Sequence, residues 1–216
     1  MSILITLIKK DVILLRRSLT PASIVPIFIS FFVAFVNAQL FMVMLAIILS
    51  GYFPSFIIQI LTIDESTRWK QFMRSLPVKP NIEALSRYLL LFMLSALSAV
   101  LIPAIGFLVR IAGLIQVSGL YLLLFSMYGL FYGLLMGDVA IPVMYRFGAV
   151  NGKYVIMAFT FIPIIVGLYI ATSKVPAFFY DITITTLAIF VIAGIFLATG
   201  IAFLYTCHVL KKRYKD

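Results

Sequence analysis

The stretch Asp64–Arg87, DESTRWKQFMRSLPVKPNIEALSR, carries three of the chain's seven acidic residues, five of its seventeen basic residues and its only tryptophan. Apolar runs lie on both sides of it. Charge concentrated inside so hydrophobic a chain marks a loop that leaves a membrane between two helices crossing it.

Composition agrees. The 216 residues are 64% hydrophobic and 11% charged, where a globular domain is about half apolar and a quarter charged. Too few polar side chains remain to cover that apolar surface in water, so lipid is the solvent. Runs of about 20 apolar residues cross a bilayer as helices. Six occur: Pro21–Ala38, Leu40–Ile63, Tyr88–Val109, Gly119–Ile141, Tyr154–Thr172 and Thr183–Thr206. The first two are separated only around Asn37-Ala38-Gln39, which predicts a tight hairpin and a short first helix. Strand-like alternation is lacking, which argues against a β-barrel. The expected fold is all-α, with six transmembrane helices in one domain over 1–216.

The net charge of +10 suggests nucleic acid until it is laid on this topology. With the N-terminus in the cytoplasm, the inner segments hold four basic residues before the first span, five in 64–87, two at Arg146 and Lys153, and four in the tail KKRYKD. Only Arg110 and Lys174 fall outside, a split of 15 to 2. Cytoplasmic loops retain Lys and Arg in this way. Both termini are therefore expected in the cytoplasm of a multi-pass plasma-membrane protein, where the charge also meets anionic lipid. No basic groove with interleaved aromatics is left for DNA or RNA. At the N-terminus, Lys9, Lys10, Arg16 and Arg17 follow the first apolar residues, and no small-residue cleavage pattern precedes Thr20, so no signal peptide is expected.

Within the opening stretch, Asp64 is a good N-cap, Glu65 suits a helix N-terminus, and Pro77 ends a helix near Leu76. Trp69, Phe72, Met73 and Leu76 stand at i, i+3, i+4 and i+7, one apolar stripe, with Arg68, Lys70, Gln71 and Arg74 opposite. A short amphipathic helix over Asp64–Leu76 results. It either lies on lipid with its cations at the headgroups or docks a cytosolic partner.

The acidic start, the tryptophan and the following SLPVKP and SRYL resemble the short permeases of ABC-2 type transporters, the membrane subunits of ATP-binding-cassette systems. LIKKDVILLRR, within 1–19, resembles their amphipathic elbow helix. IPVMYRFG, with Gly152 and Lys153, resembles their second cytoplasmic loop, here 142–153. The order of the motifs covers the whole chain. The second loop of the family often has an acidic residue after Phe-Gly, and FGAVNGK has none. The resemblance implies a coupling helix (64–80) that seats on a separate ATPase, with Asp64, Glu65, Arg68, Trp69, Phe72, Met73 and Leu76 at the contact. Arg146, Phe147, Gly148 and Lys153 would add a second contact. It further implies a permease dimer, alike or unlike, with ATP and Mg²⁺ held by the ATPase and no cofactor in this chain. Amphipathic peptides, lantibiotics and lipid-like molecules are the implied cargo. The likeness extends to small Gram-positive permeases that export phenol-soluble modulins.

The residues bear on this directly. No GxxxxGK[ST] phosphate loop occurs, and neither HExxH nor GxSxG is present, so no catalytic residue is expected. Cys207 is the only cysteine, so no internal disulfide or cysteine metal pair can form. Asp11 falls among the apolar residues of the N-terminal helix and needs a basic or backbone partner; an ion pair and a gating latch are its two readings. Asp138, at the inner end of the fourth span, either reaches water or Arg146 there, or serves as the proton site of a carrier. A stand-alone carrier or channel using Asp138, and a membrane subunit conferring peptide immunity, are the alternatives to an exporter. Gly129, Gly133 and Gly137, four residues apart on one face, allow a close helix contact within the chain or across a dimer.

Overall fold

The computed structural model of the chain describes residues 3–18, 25, 38–67, 69–76, 78–113, 118–172 and 184–214. The regular elements among them are helices: α1 (Ile3–Ser18), α2 (Ala38–Ser66), α3 (Trp69–Ser75), α4 (Pro80–Ile111), α5 (Gly119–Thr172) and α6 (Ile184–Arg213). Four stretches of these are long and apolar enough to cross a membrane: Phe41–Ser66, Pro80–Ile111, Leu122–Tyr154 and Ala193–Lys212. They contain the second, third, fourth and sixth runs expected from sequence. The first run, Pro21–Ala38, lies outside the described residues except for Val25 and Ala38. The fifth, Tyr154–Thr172, has helical backbone as the end of α5.

The helices overrun the apolar stretches at the charged end. The 29 residues of α2 rise about 43 Å at 1.5 Å per residue, against roughly 30 Å of hydrocarbon. The helix is thus longer than that slab is thick, and Asp64 and Glu65 fall in its last turn. The helix at the opening stretch accordingly starts later than expected. Asp64 belongs to α2 and is not the N-cap of a helix that follows, and the short helix α3 covers only Trp69–Ser75.

Helix α5 also differs from a loop over 142–153. Its one non-helical residue is Gly148, with φ 82° and ψ 174°, a backbone region almost closed to other residues. A Cβ on Gly152 would lie 3.4 Å from the Cα of Met144, whereas eight residues of straight helix would separate the two by about 12 Å. The chain turns back at Gly148. Its first arm (119–147) and second arm (149–172) form a helical hairpin with a one-residue turn.

The core is built where α2, α4, the first arm of α5 and α6 meet. Near the charged end, Phe56, Ile57 and Ile60 of α2 pack with Tyr88, Leu91 and Leu94 of α4, Ile141, Met144 and Tyr145 of α5, and Cys207 and Leu210 of α6. Towards the other end, Phe41, Leu45 and Leu49 of α2 pack with Ile102 and Val109 of α4 and Leu122 of α5. The outward faces remain apolar, including Phe92, Leu97, Phe107 and Leu108 of α4 and Phe196, Leu197 and Leu204 of α6. Such a surface suits hydrocarbon contact.

The glycine row lies against α4 within the chain. Cβ atoms placed on Gly137, Gly133 and Gly129 would run into Leu91, Ser95 and Ile102 respectively, so the two helices run antiparallel and close. Hydroxyls join them: Ser126 donates to the Ala99 carbonyl at 2.6 Å and Ser98 to the Gly129 carbonyl at 3.3 Å. At Gly133 a Cβ would sit 2.8 Å from Ser95 Oγ and 3.2 Å from Pro54 Cγ. Gly133→Leu should therefore destabilise the chain by about 1–3 kcal/mol through overpacking, seen as a lower melting temperature in detergent. An unchanged melting curve would show that α4 and α5 are not in close contact there.

Candidate functional site

Four ionised side chains from three helices meet at the charged end of the bundle. Arg87, directly before the apolar run of α4, is only 2% exposed. Its Nη1 lies 2.6 Å from Asp11 Oδ2 of α1, and its Nη2 donates to Asp64 Oδ2 at the end of α2. Lys10 of α1 closes the ring, with Nζ 2.8 and 3.0 Å from the two Asp64 oxygens and 3.1 Å from Asp11 Oδ1. Two cations balance two carboxylates. Asp11 meets both cations at ion-pair distance without an aligned hydrogen bond, so charge attraction holds it in place. Burying such groups is costly unless each has its counter-charge, and this requirement fixes α1 against α2 and α4. Asp11 is thus in an ion pair with both Lys10 and Arg87.

Beside this ring, Glu83 of α4 is buried and accepts hydrogen bonds from two tyrosines. Tyr145 of α5 donates at 2.9 Å and Tyr214, after α6, at 2.8 Å. Glu83 and Arg87 are four residues apart on one helix and could pair locally; Tyr145 stands against both, while Glu83 also takes Tyr214 and Arg87 takes Asp11 and Asp64. The N-terminal helix and the residue following α6 thereby lie at the same end of the bundle. Tyr88, next to Arg87, links α4 to α6 through the Thr206 hydroxyl at 3.1 Å.

Glu65 stabilises the turn of the α5 hairpin. Its carboxylate accepts from the Ala149 backbone N–H, the first donor of the second arm, and a Cβ on Gly148 would come 2.8 Å from its Oε1. A carboxylate at a helix N-terminus satisfies an orphan donor and opposes the helix dipole. Glu65 of α2 thus caps the second arm, and Gly148 leaves the room it needs. Phe147 and Lys153 are exposed on either side of the turn, and Arg146 donates to the Tyr205 hydroxyl of α6.

Helix α3 is attached directly to the ion ring. Lys10 Nζ lies 4.2 Å from the centre of the Trp69 ring, a cation–π contact. Met73 is fully buried against Leu7 of α1 and Val78, with Trp69, Leu76 and Ile82 around them. Most of the apolar stripe therefore faces the chain itself. Phe72 is the exception. It is 53% exposed and leans on Trp69, ring centres 5.2 Å apart, and the buried indole N–H of Trp69 has no acceptor among the described residues. Arg68 and Pro77 lie outside the described residues, as do the side chains of Lys70 and Arg74.

Asp138 sits elsewhere, between the first arm of α5 and α6. Its Oδ2 accepts from the Thr199 hydroxyl of α6 at 2.7 Å, where Arg146 is the partner the sequence suggests. Asp138 and Arg146 both line a cleft of about 590 Å³ whose walls are otherwise mostly apolar, among them Leu135, Val139, Ile201 and Ala202.

Asp11, Asp64 and Glu65 stand out in the sequence, whereas their partners and neighbours Lys10, Arg87, Glu83, Tyr145 and Tyr214 do not. One signal is present. An arginine set directly before YLLLFMLSAL cannot stay unpaired in an apolar helix, so a carboxylate had to come from another element.

The family model described as ABC-2 family transporter protein matches residues 6–211 of the chain. No curated protein and no solved structure matches it.

Proposed function

Because the chain belongs to the ABC-2 family of transporter membrane proteins, we propose that it is the membrane half of an ATP-driven exporter, and that α3 is the element through which the ATPase moves it. Membership in that family makes the chain a multi-pass plasma-membrane permease without an ATPase domain, and it implies separate ATPase subunits. The carrier reading built on Asp138 gives way to this. ATP and Mg²⁺ would be bound by the partner, and two permease chains, alike or unlike, would face one another across the transport path.

One observation carries the coupling role. The short helix α3 presents an exposed aromatic, Phe72, while its other apolar residues bind it to α1 and, through Lys10, to the buried ion ring. A push on α3 then reaches α1, α2 and α4 together, because one charge cluster joins all three. Through Glu65 it also reaches the turn between the arms of α5. In this cycle ATP closes the two ATPase subunits, α3 follows, and the spans alternate between inward and outward access. The helix surfaces are rich in Phe, Leu, Ile and Met, which suits an amphipathic peptide or lipid-like cargo better than a sugar or an ion.

The charged end must face the cytoplasm for this to hold. Reporter fusions after Asp216 and at Gly113, between α4 and α5, should report opposite sides of the membrane, with Asp216 inside. Identical sidedness, or Asp216 outside, would put α3 beyond the reach of any cytosolic ATPase.

A further inference from the structure

We propose that the cleft between the first arm of α5 and α6 binds the cationic amine head of an amphiphilic cargo, with Asp138 as its counter-ion. This rests on the reading of the chain as an exporter subunit for amphiphiles. Asp138 is 5% exposed and lines the cleft, and its Oδ1 has no hydrogen-bond partner among the described residues. A buried carboxylate oxygen without a donor is costly. Oδ2 is already engaged by Thr199, so the group is fixed in orientation and one acceptor is left over. A primary ammonium would supply both the counter-charge and a donor that this carboxylate lacks.

The rest of the cleft fits the remainder of such a molecule. Leu135, Val139, Val143, Ile201 and Ala202 give an apolar wall for a hydrocarbon or apolar side chains. Arg146 is eight residues beyond Asp138 on the same arm, about 12 Å along the helix. There it meets the Tyr205 hydroxyl and lies 5.3 Å from the Phe147 ring. The carboxylate and the guanidinium thus mark separate parts of the cleft, and a cation is drawn to the Asp138 part alone. The cleft opens on the side of the chain and not only at its end, since Ile201 on its rim is 67% exposed. An amphiphile could enter it from the membrane.

The test uses the full chain in phosphatidylcholine nanodiscs and a long-chain primary amine bearing a diazirine, compared with the alcohol of the same chain. A charge-assisted hydrogen bond favours the amine by about tenfold or more over the alcohol. Labelling should map to residues 135–147 and 198–205. Asp138→Asn, which keeps the shape and can still accept from Thr199, should bring amine labelling down to the level of the alcohol. Ile201→Trp, an exposed substitution that narrows the entrance, should reduce labelling by both probes and serves if Asp138→Asn is unstable. Equal labelling by amine and alcohol in the unaltered chain, or full amine labelling in Asp138→Asn, would overturn the proposal. If phosphatidylethanolamine added to the disc abolishes the labelling, a resident lipid occupies the cleft and the cargo assignment is overturned. ATPase association is measured in parallel. Its absence from the unaltered chain would count against the exporter reading, whereas loss of amine selectivity with association intact would count against this site.

Discussion

Arg87→Met should cost the protein about 3–5 kcal/mol of stability, the usual penalty for stranding buried charges by removing one partner. The arginine has two buried carboxylates against it, Asp11 and Asp64. Without it, Lys10 alone must balance both. Methionine has comparable volume and leaves little cavity, so the loss reports charge rather than packing. Thermal unfolding in detergent measures it. The companion variant Asp64→Asn in the Arg87→Met background should recover part of the loss, since one stranded carboxylate is then neutral. Coupling of this kind is what a double-mutant cycle isolates. If Arg87→Met melts like the unaltered chain, the ring does not hold α1, α2 and α4 together, and a push on α3 has no fixed path into the spans.

Phe72→Ala should leave the isolated chain as stable as before and weaken its hold on the ATPase by about 2 kcal/mol or more, roughly thirtyfold. The two effects separate because Phe72 is mostly exposed and little of its surface is used within the chain. Trp69→Ala should behave differently. Trp69 lies between Lys10 and Phe72, so its loss should lower both stability and ATPase affinity, and should let ATP be hydrolysed without transport. Were α3 only a lipid-surface helix, Phe72→Ala would leave ATPase association unchanged. Quantitative co-purification with the ATPase, beside a melting curve of the chain alone, tells these apart.

The apolar runs give α2, α4, the first arm of α5 and most of α6 directly, because twenty residues without charge have few other stable fates in a cell. The charged residues at the ends of those runs were harder to place. Asp64 has the local chemistry of an N-cap, but it lies inside α2 and pairs with Lys10 and Arg87, 54 and 23 residues away. Likewise, the stripe of Trp69, Met73 and Leu76 is evident from spacing, but spacing does not say whether it faces lipid, a partner or the chain's own α1. Leu7 and Val78 decide that, and nothing in the periodicity names them. The Gly129–Gly133–Gly137 row is legible as a close contact; its partner α4 becomes identifiable only through the matching sequence Leu91, Ser95, Ser98 and Ile102. Gly148 gave the weakest signal, since a lone glycine in an apolar run rarely marks a reversal. Its significance lies in Glu65, which arrives from another helix to cap the arm that follows.

Whether α3 meets an ATPase through its exposed aromatic can be tested by trapping that contact. A photo-crosslinking side chain at position 72 in intact membranes should attach to the co-expressed ATPase in high yield, with a yield that changes when ATP hydrolysis is blocked. The same group at position 107, on the lipid-facing side of α4, should not attach. Crosslinks from position 72 to lipid alone, with the ATPase present and functional, would show that α3 rests on the membrane surface and does not dock the ATPase.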